Sequence, residues 1–111
     1  MIEVFRYQTD DGKEPLTDWL QSLRDKQAQA KIRVRIKRLE AGVFGDCDSV
    51  GEGVQELREY LGAGYRVYFG RHGQTVVILL CGGSKKSQAT DIKIAKECWE
   101  DWKRRQAWAR N

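Results

Sequence analysis

Two arginines on neighbouring strand-like runs are the residues whose types and spacing most invite chemistry. In Val54 to Glu59, the alternation that turns Leu57 inward with Gln55 and Glu59 turns Val54, Glu56 and Arg58 to the other side. In Tyr65 to Arg71, the apolar set Tyr65, Val67 and Phe69 leaves Arg66 and Tyr68 opposite it. Arg58 and Arg66 thus share a face, where two like charges side by side cost stability unless an anion sits between them. That anion is either a phosphate brought by a substrate or, in the plainer reading, Glu56 or Glu59 in an ion pair. Tyr60, Tyr65 and Tyr68 flank the arginines and are of a type that contacts nucleobases.

The run Cys81-Gly82-Gly83-Ser84-Lys85-Lys86-Ser87-Gln88 leaves a strand and enters a helix. Glycines let a backbone approach an anion, and lysines beside a helix start favour phosphate. The spacing is not that of a nucleotide-triphosphate loop, and the plainer reading is a strand-to-helix turn with solubilising lysines. Other chemistries find little support. There is no Gly-x-Ser-x-Gly, and the lone histidine, His72, falls in an expected hairpin turn. Cys47, Cys81 and Cys98 form no Cys-x-x-Cys pair and read as reduced thiols of a cytoplasmic protein.

These groups need a scaffold, and the hydrophobic pattern supplies one. Residues 2–7 alternate as a short strand. Pro15 suits the first turn of a helix whose Leu16, Trp19, Leu20 and Leu23 line one face. A second helix runs from near Asp25 to Gly42, with Ile32, Ile36, Leu39 and Val43 as its apolar stripe. Residues 42–53, glycine-rich and without periodicity, read as a surface loop. Three strands follow at 54–59, 65–71 and 75–81, the last apolar on both faces and hence central. A final helix, capped by Ser87 or Thr90, carries Ile92, Ala95, Trp99 and Trp102 on one side, and beyond Lys103 its end is expected to fray with Trp108 exposed. The order β-α-α-β-β-β-α predicts an α+β domain, an antiparallel sheet packed against helices.

At 111 residues the chain suits one core, so residues 1–111 are read as a single domain. Twenty Lys/Arg against sixteen Asp/Glu give +4, with the excess in the second half: residues 51–111 carry 11 basic and 7 acidic side chains, residues 1–50 nine of each. Between residues 26 and 38 stand six cations and no acid, either a solvated helix face or a surface for phosphates. The charged start Met1-Ile2-Glu3-Val4-Phe5-Arg6 lacks the apolar run of a signal peptide, and no stretch reaches the roughly 18 apolar residues of a membrane span.

The combination of Glu56-Leu57-Arg58, Gly64-Tyr65-Arg66-Val67-Tyr68-Phe69, Val76 to Leu80 and Gly82-Gly83-Ser84-Lys85-Lys86-Ser87-Gln88, followed by Asp91-Ile92 and Ala95, resembles the RelE/ParE toxin superfamily. The branch it looks most like is the HigB-like addiction module killer group of phage-type toxins, and the resemblance spans roughly residues 2–105.

The resemblance implies a RelE-like fold and the toxin of a type II toxin-antitoxin pair, working in the cytoplasm at the ribosome and cutting mRNA. The implied chemistry needs no metal or cofactor: the ribose 2′-hydroxyl attacks the adjacent phosphate and the 5′-oxygen leaves. It requires a base, a donor to the leaving oxygen and cations on the phosphorane. Arg66 matches the family's phosphate-stabilising arginine, Arg58 the arginine of the preceding strand, and Lys85 the basic residue after the last strand. RelE itself places lysines on the strand of Arg58, where this chain has Val54 and Glu56, so the base stays open, with the Glu56 carboxylate as one candidate. Lys86 either supplies the missing cation or contacts rRNA, and Lys31, Arg35, Arg38, Tyr68 and Gln88 are the further RNA-contact candidates. The implied partner is a small antitoxin, usually a helix-turn-helix DNA-binding protein. ParE-like relatives inhibit DNA gyrase instead, and an inactive nucleic-acid-binding relic is the third reading.

Overall fold

A computed structural model describes residues 1–109. The elements are β1 (Glu3–Arg6), α1 (Pro15–Ser22), α2 (Lys26–Glu40), β2 (Cys47–Gly51), β3 (Val54–Glu59), β4 (Tyr65–His72), β5 (Val76–Ser84), a single 3₁₀ turn (Lys85–Ser87) and α3 (Gln88–Ala109). They form an α+β fold whose five-stranded sheet has the order β1-β5-β4-β3-β2.

The sheet departs from expectation in two ways. Residues 42–53 are not only loop, because β2 lies within them and pairs antiparallel with β3. β2 is an edge strand whose side chains are partly or fully exposed, so it lacks the apolar alternation that marks a strand in sequence. Nor is the sheet wholly antiparallel: β1 runs parallel to β5. The α1–α2 segment lies between β1 and the rest of the sheet, a connection long enough to bring a strand back in the same direction.

Local signals start the first two helices. Pro15 opens α1, and the Asp25 carboxylate caps α2 by accepting from the Ala28 amide at 3.0 Å. From these helices Leu16, Leu20, Ile32, Ile36 and Leu39 pack on one face of the sheet against Leu57, Val67, Phe69, Val77 and Leu79. Truncating Leu16 or Leu20, both wholly buried, costs about 2–5 kcal/mol. Val43, expected in the α2 stripe, is exposed, because α2 ends at Glu40 and the chain turns away at Gly42.

The other face carries Val54, Tyr68, Ile78, Leu80 and Cys81 and is covered by Ala95, Cys98 and Trp99 of α3. The central position of β5, between β1 and β4, explains why its apolar residues alternate between two cores. Trp99 lies against Gly70, where an added Cβ would come within 2.4 Å of its ring, and stacks on Trp102 with centroids 5.2 Å apart. α3 continues to Ala109, past the point where the tail was expected to leave the helix, while the expectation for Trp108 falls outside the described side chains.

Candidate functional site

The register of β3 on β4 sets Arg58 opposite Arg66 and Glu56 opposite Tyr68. Since Tyr68 packs into the α3-side core, all four belong to that side of the sheet. Glu56, 2% exposed, sits at the centre. Its Oε2 accepts from the Tyr68 hydroxyl at 3.0 Å and from Gln88 Nε2 at 2.8 Å. Arg66 Nε stands 3.5 Å from the same oxygen, and an Arg58 guanidinium nitrogen lies 3.6 Å from Oε1. The anion between the two arginines is therefore supplied from within the chain. A buried carboxylate needs such partners, and the two cations need it. Burial first, and then the neighbouring Glu56 charge, push the Tyr68 phenol far above its ordinary range, so it acts as a neutral donor.

The arginines differ in access. Arg66 is 7% exposed, donates to the Gly64 carbonyl at 2.9 Å and leaves its Nε without a hydrogen-bond partner. Arg58 reaches further out and grips the Asp46 carboxylate with Nε at 3.2 Å and Nη2 at 2.8 Å. That bond raises the Arg58 pKa and holds the Asp46 carboxyl below its usual range. The Arg58 backbone is pinned as well: its amide donates to the Asp46 carbonyl at 2.9 Å, and its carbonyl accepts from Arg35 at 2.7 Å.

Lys85 and Lys86 follow β5 and are exposed. The Lys85 amide donates to the Gly64 carbonyl at 2.8 Å, and the space where Gly64 would carry a Cβ lies 3.5 Å from Arg66 Nη1 and 3.6 Å from Lys85 Cβ. The start of β4, the end of β5 and the 3₁₀ turn thus bring Lys85 beside Arg66. The double glycine before them has another role than cradling an anion. Gly82 and Gly83 both lie within β5, and an added Cβ would meet the Trp19 ring at 2.3 Å on one side and the Asp91 carboxylate on the other. Those side chains already fill the room the glycines leave.

Several candidates are placed differently from expectation. Tyr68 is fully buried and its hydroxyl is committed, so it offers no face to a base. Gln88 spends its amide on Glu56. Arg35 turns inward to the Arg58 and Phe44 carbonyls and lies 3.9 Å from Glu59, whereas Lys31 and Arg38 stay exposed. Among the tyrosines Tyr60, 67% exposed, is the open one, since Tyr65 packs edge-on against Trp19. His72 lies edge-on to Trp102, and burial lifts the Cys98 thiol to about 11 and Cys81 higher, which makes both poor nucleophiles. Asp46 escaped the sequence reading because it sits inside the segment taken as loop. The only signal was an acid one residue before the first residue of β2.

The model of the family described as phage-derived protein Gp49-like (DUF891) matches residues 18–100. The chain belongs to that family, which is related to toxin-antitoxin systems and RelE-like. It is also similar to an uncharacterized protein of Haemophilus influenzae, 54% identical over 78 residues that cover 70% of this chain and 79% of the relative. Among the described residues, no helix is long and apolar enough to cross a membrane.

Proposed function

We propose that this protein is the toxin of a type II toxin-antitoxin pair, of the HigB-like kind, and a ribosome-dependent mRNA endonuclease. The observation that carries the reading is the Arg58–Arg66 pair around buried Glu56, with exposed Lys85 brought beside it at Gly64 and exposed Lys86 next along the chain. In the proposed reaction the ribose 2′-hydroxyl gives its proton to a solvent water as its oxygen bonds to the adjacent phosphorus, the bond to the 5′-oxygen breaks, that oxygen takes up a proton, and a cyclic phosphate and a 5′-hydroxyl result. Arg58 and Arg66 meet the extra charge on the phosphorane oxygens, where fixed cations stabilise the transition state more than the ground state. Lys85, beside Arg66, donates to the leaving oxygen, and Lys86 adds positive potential along the RNA.

Glu56 is a positioning residue in this scheme. It is sealed from solvent, and Oε2 already accepts two hydrogen bonds, so it fixes the arginines and takes no proton from the substrate. Family membership supports the toxin reading, and exposed Lys31 and Arg38 suit contact with rRNA, in the cytoplasm, with a small DNA-binding antitoxin as partner.

The test is induction in bacteria of the wild type beside Lys85→Ala and Arg66→Ala, with growth followed and mRNA 5′ ends mapped at nucleotide resolution. Codon-registered cuts with the wild type that fade in both variants are expected. Growth arrest without cuts would replace this reading with a gyrase-directed toxin, and unimpaired growth would favour an inactive relic. Lys85 is exposed, so its variant remains informative if Arg66→Ala fails to fold.

A further inference from the structure

We infer that Asp46 is a built-in competitor for the substrate phosphate, a carboxylate that occupies the outer edge of Arg58 until an RNA phosphate displaces it. The inference rests on the reading above, in which Arg58 meets phosphate, and adds a residue that tunes its affinity. A planar guanidinium presents the same two-donor edge to a carboxylate and to a phosphate. In the structure Asp46 takes that edge with two hydrogen bonds to one oxygen, at 3.2 and 2.8 Å.

Three further observations make the contact displaceable. Asp46 is exposed and Arg58 partly so, with side-chain accessibilities of 41% and 24%, so water and ligand reach both partners. The Asp46 backbone is held independently, its carbonyl accepting from the Arg58 amide at 2.9 Å, so the carboxylate can turn away by side-chain rotation while the strands stay paired. Arg58 does not collapse when released, because Glu56 stands 3.6 Å behind it and Arg35 holds its carbonyl. Arg66 has no such outer carboxylate among the described residues: its one acidic neighbour is buried Glu56. Asp46 thus acts on one arginine of the pair, and binding must exchange one anion for another there.

The experiment measures binding of a short 2′-O-methyl RNA, which cannot be cleaved, by fluorescence anisotropy at low salt. The proteins are the wild type, Asp46→Asn, Asp48→Asn, Arg58→Gln and the Asp46→Asn/Arg58→Gln double variant, each checked for cooperative thermal unfolding. Asp48 is the matched control, an exposed acid two residues on, in β2, that removes the same charge. Asp46→Asn is expected to bind about threefold tighter, the size of an exposed ion pair. Asp48→Asn is expected to change little, Arg58→Gln to bind more weakly, and the double variant to match Arg58→Gln. Equal tightening by Asp46→Asn and Asp48→Asn would show a general charge effect and overturn the inference, as would no tightening by Asp46→Asn while Arg58→Gln weakens binding. If Arg58→Gln binds as the wild type does, the reading of Arg58 as a phosphate ligand fails first and takes the inference with it. The Asp46 and Asp48 comparison decides the matter even if Arg58→Gln does not fold.

Discussion

Two polar clusters along α3 are built from the same three side-chain types, and they do different things. Near its start, carboxylate Glu56, phenol Tyr68 and arginines Arg66 and Arg58 meet on the sheet. Towards its end, carboxylate Asp101, phenol Tyr7 and Arg105 tie the helix to the chain just after β1. In the second cluster the Tyr7 hydroxyl donates to Asp101 at 2.7 Å, and Arg105 adds the Gln8 carbonyl at 2.8 Å and reaches Asp10 at 3.5 Å. Arg104 and Arg105 share Asp101 there, Arg105 also faces Asp10 and a carbonyl, and the cluster closes a surface seam. In the first, two arginines share one buried carboxylate, and the second anion, Asp46, is exposed and replaceable. The burial of the shared carboxylate, its side chain 3% exposed at Glu56 against 25% at Asp101, rather than the choice of residues, separates a site from a clasp.

The largest effect is expected at Glu56. Glu56→Leu leaves two arginines against an apolar wall, and a loss of about 3 kcal/mol in urea unfolding is expected, since removing one partner strands a buried charge. Tyr68→Phe removes a buried donor to that carboxylate and is expected to cost about 2 kcal/mol in the same measurement. Tyr7→Phe, whose partner Asp101 lies nearer solvent, should cost about 1 kcal/mol or less.

pH sharpens the contrast at the clasp. The Tyr7 hydrogen bond and the neighbouring arginines hold the Asp101 carboxyl below its ordinary range. Its folded pKa lies below the unfolded one, so its contribution is full above the unfolded value of about 3.9 and is lost as pH falls through the folded value. Burial and the Asp101 bond raise Tyr7 to about 12, so the contribution of its neutral form is full below the unfolded value of 10.0 and is lost as pH rises through about 12. Thermal unfolding across pH should show both losses in the wild type, with the acid one reduced in Asp101→Asn and the alkaline one in Tyr7→Phe.

The smallest effect separates the clusters by function. Lys85→Ala should lower the salt dependence of RNA binding by about one counterion with little change in melting temperature. Arg105→Ala should shift melting and leave that slope unchanged; the reverse pattern would relocate the site to the far end of α3.

Much of the frame could be read from the chain. Apolar spacing placed α1, α2, α3 and β3 to β5, because burial of one face imposes a period of 3.6 or 2 on the residues that line it. The same alternation put Arg58 and Arg66 on one face, and the register sets them opposite each other. What alternation could not see was β2, an edge strand with a single neighbour, or the parallel return of β1, because pairing direction leaves no mark on the side-chain period.

Local periodicity assigned the residues of β3, β4 and β5 to one strand face or the other. Their partners were set by the packing of segments far apart in the chain. Distant segments settled that Arg58 and Arg66 share Glu56, that Arg35 holds the Arg58 carbonyl, that Trp19 and Asp91 fill the space beside Gly82 and Gly83, and that the Asp46 carboxylate bonds Arg58. The physical reason is that an ion pair is fixed by a distance of a few ångströms across the fold, a quantity that spacing along one strand does not contain.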